Sequence, residues 1–282
     1  MLIATGPAQA LGSSSTARLE FVEGPKSAGA WAGQRLLSLD GQGAFELSLW
    51  CGTCPFLFQR LVGANSTVSI AELEDKLAEG LTEIEPDVME RFAQLLAPGH
   101  FIPMLLQIQP TLVSPNAADD YFSHEQVKTW GIDGFWGLPE HPRTPYYRTF
   151  ETRVDDHAHL FEFVVPMVPP TWNDRARVAR HATRLQTSSR PTAVAVATLD
   201  VCAPAVKQGP DWFWHWGLTH FLLDGHHKLE AAAASGVPLQ LLSLLAVDAS
   251  LAAPDQINRV PELRARSAIA RSQLPIEPEA SR

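Results

Sequence analysis

Residues 218–247 read LTHFLLDGHHKLEAAAASGVPLQLLSLLAV, and this stretch decides the fold class. Leu218–Leu223 is a short apolar run, as a buried strand requires. Asp224-Gly225 is turn chemistry. Residues 226–235 (HHKLEAAAAS) are strong helix formers. Gly236 and then Pro238 end that helix, and residues 240–247 (QLLSLLAV) form a second buried strand. Strand, turn, helix and strand in thirty residues predict an α+β (mixed α/β) protein.

The same turn carries the chemistry. The first N–H groups of a helix have no partner within it, and the dipole adds about half a positive charge there. Gly225 permits a sharp turn and lets a ligand approach the backbone. His226, His227 and Lys228 place cations in the first turn, where they oppose helix formation unless an anion offsets them; phosphate is the natural anion. Asp224, at the strand end, is a candidate Mg²⁺ ligand or proton acceptor, with Glu230 a second acidic candidate. The competing reading is that Asp224 caps the helix and the histidines face solvent.

Asp224-Gly225-His226-His227-Lys228 with the following alanines resembles the D-G-H-H-R/K-x-x-A-A segment of the ParB/sulfiredoxin-like superfamily. Its members include chromosome-partition proteins that bind CTP, sulfiredoxins that use ATP, and an archaeal kinase that phosphorylates free serine with ADP. The resemblance is specific over about thirty residues and extends over 192–247. It implies nucleotide or phosphate binding by Gly225, His226, His227 and Lys228, with a nucleotide (ATP, ADP or CTP) and Mg²⁺ as ligands. Lys228 stands where Arg is commoner, keeping the charge without the bidentate fork. The partition proteins' first nucleotide box, helix-turn-helix and basic tail are missing. The sulfiredoxin cysteine is also missing, since 225–227 are Gly-His-His. These departures point away from partition and sulfinic-acid repair and toward phosphotransfer or plain nucleotide binding. On this reading a nucleotide-binding domain occupies 150–252. A β-rich region with a helical pair (1–115), a loop-rich connection (116–149) and a polar tail (253–282) make up the rest.

Outward from this segment, 17–23 and 44–50 alternate like half-buried strands, and Asp40-Gly41-Gln42-Gly43 supplies a turn between segments. Residues 69–97 read as two helices. Ser69 would cap the first, with Glu72 at capping-box spacing, and Pro86 would start the second. Prolines 103 and 110 assign 101–113 to an edge or bulged strand. Residues 159–168 and 192–200 read as strands, and 173–186 as an Arg-rich helix capped by Asn173. On that helix Arg177, Arg180, His181 and Arg184 share a face. The face suits phosphate or RNA, or pairing with the acidic helices at 70–90. His220 reads as a packed strand histidine.

Cys51 and Cys54 form a C-x-x-C pair in Trp50-Cys51-Gly52-Thr53-Cys54-Pro55. The spacing suits half a Zn²⁺ site, to be completed by Cys202 or by His157, His159 or His215. W-C-G-x-C also resembles the thioredoxin redox motif, which gives a dithiol oxidoreductase as a further reading. A structural turn is the third. Trp212, Trp214 and Trp216 alternate beside the phosphate segment and are candidates to stack a base.

Composition bounds the classes. The 282 residues are 45% hydrophobic and 19% charged, which excludes wholesale disorder. A net charge of −9 argues against an extended nucleic-acid surface but leaves room for a small anionic ligand. Three cysteines exclude a disulfide scaffold. The absence of a long apolar run or signal-like leader gives the expectation of a cytoplasmic protein with no membrane span.

Overall fold

The computed structural model describes residues 1–23, 35–47, 58–115, 117–124, 144–186, 190–202 and 214–266. In chain order the strands are β1 (Leu2–Thr5), β2 (Gln9–Leu11), β3 (Leu19–Glu23), β4 (Arg35–Leu39), β5 (Gln42–Leu47), β6 (Phe58–Arg60), β7 (Gly99–Ile108), β8 (Thr111–Val113), β9 (Tyr146–Asp155), β10 (Ala158–Pro166), β11 (Thr192–Cys202), β12 (Trp214–Asp224) and β13 (Leu239–Ala246). The helices are α1 (Glu74–Glu79), α2 (Pro86–Ala93), α3 (Tyr121–His124), α4 (Arg175–Leu185), α5 (His226–Ser235) and α6 (Pro254–Ala265). A nine-stranded mixed sheet runs β1-β7-β13-β11-β12-β10-β9-β8, with β2 also on β7, and β3-β4-β5-β6 form a second sheet. The protein is therefore mixed α+β.

The large sheet is the middle of three layers. On one face Val194, Val196, Phe221, Leu242 and Leu244 meet Leu37 and Phe45 of the small sheet, Leu77 of α1, and Val88 and Phe92 of α2. On the other face Ala193, Ala195, Leu218, Leu241 and Leu245 meet Leu229 and Ala232 of α5 and Ile257, Val260 and Leu263 of α6. Each fully buried Val, Leu, Ile or Phe among them contributes roughly 1.5–3 kcal/mol. Covering on both faces explains why every residue of β11 and β13 is buried, and why their sequences are mostly apolar on both faces rather than strictly alternating with polar residues.

Local turn chemistry formed as read. Asp40 and Gly41 close the β4–β5 hairpin with φ of 51° and 78°, the paired positive φ of a type I′ turn. Other expectations change. The strand at 101–113 is two strands, and the longer, β7, lies inside the sheet between β13 and β1/β2 rather than at an edge. Pro103 is tolerated because its carbonyl, and so its missing N–H, points toward Gly6, which breaks the partner strand between β1 and β2; Gly6 N–H donates to Pro103 O at 3.0 Å. The helix after Ser69 opens with a 3₁₀ turn at Ala71–Leu73 and has no side-chain cap. Asp174, not Asn173, caps α4, accepting from the N–H groups of Ala176 (2.7 Å) and Arg177 (3.1 Å). The sheet also crosses the expected division at 116–149, because β1, β2 and β7 pair into the same sheet as β9–β13. Within the polar stretch after 253, residues 254–265 form a docked helix with a buried face.

Under α6 lies a buried charge set. Glu162 of β10, His220 of β12 and Arg264 of α6 are all fully buried. Arg264 Nε stands 2.9 Å from Glu162 Oε1, off the hydrogen-bonding direction, so the attraction is Coulombic. His220 Nε2 is 3.2 Å from the same oxygen, and its Nδ1 is 2.8 Å from Ser243 Oγ on β13. Thr149 donates to Glu162 Oε2, and the Arg264 guanidinium sits 4.0 Å over the Phe150 ring. Burial alone would raise the Glu162 carboxyl; Arg264, with His220 and Thr149, overrides it and holds it at about 2.

Stability from Glu162 should thus be complete above its ordinary value near 4.5 and vanish as pH falls toward 2. Urea titrations between pH 6 and 2.5 should show this slope in the wild type and a flatter one in Glu162→Gln. Arg264→Met, which strands a buried carboxylate, should cost about 3–5 kcal/mol at pH 7.

Candidate functional site

Strands β10 and β12 run parallel and end together, at Pro166 and Asp224. The chain leaves β12 through Gly225, whose φ of 98° and ψ of 21° lie in the left-handed region. A Cβ there would sit 2.7 Å from Ala193 Cβ, so glycine is required by both conformation and space. Helix α5 then starts with no side-chain cap and packs against α4.

The two histidines point in different directions. His226 is buried, and its Nε2 accepts the Met167 N–H at 3.0 Å. The ring proton is therefore on Nδ1, which has no partner among the described residues. Burial lowers this imidazole to about 4, so it is neutral at pH 7. His227 is half-buried and accepts the Asp174 N–H at 3.1 Å, which ties the starts of α4 and α5 together. Burial, then Arg177, lowers it from its ordinary value. Lys228 is buried as well: its Nζ donates to Thr192 O at 2.9 Å and to Asp224 Oδ2 at 3.2 Å. Of the four residues expected to hold phosphate, His226 is committed to the fold, while Gly225, His227 and Lys228 line open space, Lys228 with its ammonium already bonded to Thr192 and Asp224.

That space is a cavity of about 360 Å³. One wall is the α4 face of Arg177, Arg180, His181 and Arg184, and the floor is Asp224, Gly225, His227 and Lys228. Glu74, Asp75 and Ala78 of α1 form the facing wall. The structure thus joins two segments that the sequence shows apart. It also realises the expected pairing with the acidic helices, since Arg177 Nη2 donates to Glu74 Oε1 at 2.6 Å. A mainly cationic wall at a helix start, with one strand-end carboxylate, suits an anion of the phosphate class. A second cavity, of about 310 Å³, lies at the other end of the sheet, where Arg35 and the His100–Asp248 pair meet apolar walls.

Other candidates fall elsewhere. Glu230 is held by Arg175, whose Nη2 donates at 2.9 Å, and by Asn173 Nδ2 at 2.8 Å; it is absent from the cavity lining. Trp214 and Trp216 sit at the start of β12, and Trp216 is eight residues from Asp224, about 26 Å along an extended strand. They cannot stack a base whose phosphates lie at Gly225. Trp216 instead packs under the Arg259 guanidinium, 5.3 Å from its ring centre. Trp212, Cys51 and Cys54 lie outside the described residues. Cys202 is buried, and burial raises its thiol far above the ordinary value. His157 sits in the β9–β10 hairpin loop, His159 lies 3.4 Å from Glu151, and His215 is packed on Phe122 and Phe161. Among the described residues no group of three or more His, Cys, Asp or Glu is placed to hold a metal ion. No described helix is long and apolar enough to cross a membrane.

The strict demand at Gly225 is testable. Gly225→Ala should lower stability by more than about 1 kcal/mol and shift the thermal midpoint by several degrees, while Gly236→Ala, whose Cβ meets nothing within 4 Å, should cost less. Comparisons with protein-family models, curated proteins and solved structures find no match, so the cavity is read from its own chemistry.

Proposed function

We propose that this cavity binds the phosphates of a nucleotide and that the protein is a phosphotransferase. The observation that carries the reading is the gathering of Arg177, Arg180, Arg184 and His227 beside Asp224 and the Gly225 turn around one opening. The D-G-H-H-K resemblance to ParB/sulfiredoxin-like proteins supports it from the sequence. Arg180 and Arg184 supply forked donors suited to phosphate oxygens, and the start of α5 adds main-chain N–H groups. Lys228 acts through position: it fixes Asp224 at the strand end and adds positive potential from below.

In this mechanism an acceptor hydroxyl attacks the terminal phosphorus. A P–O bond forms, the bond to the leaving phosphate breaks, and the hydroxyl proton passes to Asp224 Oδ1 or Oδ2. Asp224 would be the carboxylate to help hold a divalent cation such as Mg²⁺ bound to the nucleotide, and the cation would neutralise phosphate charge there. The Asp224–Lys228 contact keeps the carboxylate oriented. The alternative, a nucleotide sensor, uses the same cations without turnover.

Calorimetry with ATP, ADP and CTP, with and without Mg²⁺, tests binding; no heat with any of them would remove the proposal. Arg180→Ala and Arg184→Ala should each weaken binding about tenfold or more, given roughly 1.5–3 kcal/mol for a hydrogen bond to a charged group. Asp224→Asn, which keeps an acceptor for Lys228, should leave binding within a few-fold and lower turnover by about 10²–10⁴. Binding without consumption in the wild type selects the sensor.

A further inference from the structure

We infer that His181 is a ligand-contacting residue of this cavity, neutral while the cavity is empty and protonated when a dianion enters, so that anion binding takes up a proton. The inference rests on reading the cavity as an anion site. His181 lies on α4 in the row Arg177, Arg180, His181, Arg184 that forms the cationic wall. Its Nδ1 is enclosed and has no hydrogen-bond partner among the described residues. Because Nδ1 is closed to solvent, the ring meets a ligand in the cavity through Nε2.

The charges around it fix the sign. From α4 come Arg177, Arg180 and Arg184, and from α5 come His227 and Lys228; Glu74 and Asp75 of α1 and Asp224 of β12 complete the lining. Arg177 pairs with Glu74 at 2.6 Å and Lys228 with Asp224 at 3.2 Å. Burial first, then Lys228, Arg184, His227 and Arg177, lower His181 to about 4. Every charge that bears on it most is positive. A dianion placed among them reverses the local potential, favours the imidazolium and is itself stabilised by it. The proton comes from solvent, and no bond to the ligand is made or broken.

Linkage gives the direction. A histidine whose value rises on binding makes binding tighter as pH falls. Sulfate is the appropriate probe because it stays a dianion throughout the range used. If bound His181 titrates near its ordinary value of 6.5, sulfate should bind about tenfold more tightly at pH 5.5 than at pH 7.5. In NMR titrations the His181 ring resonance, assigned by its loss in His181→Gln, should shift its midpoint upward by more than one pH unit at saturating sulfate. His181→Gln should flatten the pH dependence of affinity, while His227→Gln should retain most of it. A His181 midpoint unmoved by sulfate, while the Gly225 amide and His227 ring do respond, would overturn the inference and leave the anion site standing. No response of any of these groups to sulfate would overturn both.

Discussion

A carboxylate in the middle of a sheet sets the terms for one side of this protein. Glu162 sits on β10 among apolar neighbours and under α6, where an unpaired charge would cost several kcal/mol. Its partners come from every direction: Thr149 from β9, His220 from β12 and Arg264 from α6, with Ser243 of β13 holding the far side of the histidine. The set is not a large net source of stability, since buried pairs barely recover their own desolvation. Its effect is on specificity. Only one register of β10 on β12, and one seating of α6, satisfies these groups together. Ser243, His220 and Glu162 also fall in the order of a nucleophile, base and orienting acid, but all three are closed to solvent, so the arrangement is structural here.

The candidate site follows a different logic at the sheet end. Parallel β10 and β12 deliver their termini to the same place, and the chain must turn at once into α5. Gly225 makes that turn possible against Ala193. His226 and His227 each accept a backbone N–H, from Met167 and Asp174, and so act as pins between β10, α4 and α5. Those pins set α4 beside α5 with its arginine row facing the turn. A cationic cavity wall in a protein of net charge −9 is the consequence of placement, not of composition.

Local signals were read well where neighbours in sequence decide the outcome. The Asp40-Gly41 hairpin, the helix from His226 and its stop at Gly236 depend on residues within a few positions. Pro103 was misplaced because the break that accommodates it lies at Gly6, almost a hundred residues away. A shared sheet is hidden for a similar reason: β7 looks like the end of an N-terminal region until it is paired with β13. The cavity was half legible. The Arg177–Arg184 row and the Asp224–Lys228 segment each stood out, but their meeting depends on α4 packing on α5. Glu162 was overlooked, although a lone acid inside HLFEFVVP was the available signal.

By itself the sequence determined the α+β class, the strand–turn–helix–strand core, and the residue types able to meet an anion. Tertiary structure alone decided which of those residues line one opening. Residues 225–228 are adjacent in sequence, yet Gly225 lies at the opening while His226 reaches Met167, His227 reaches Asp174 and Lys228 reaches Thr192. Backbone groups at Met167 and Thr192 needed partners, and His226 and Lys228 satisfy them. Buried polar groups leave few alternatives, and so the task of facing a ligand passed to an arginine row some forty residues earlier in the chain.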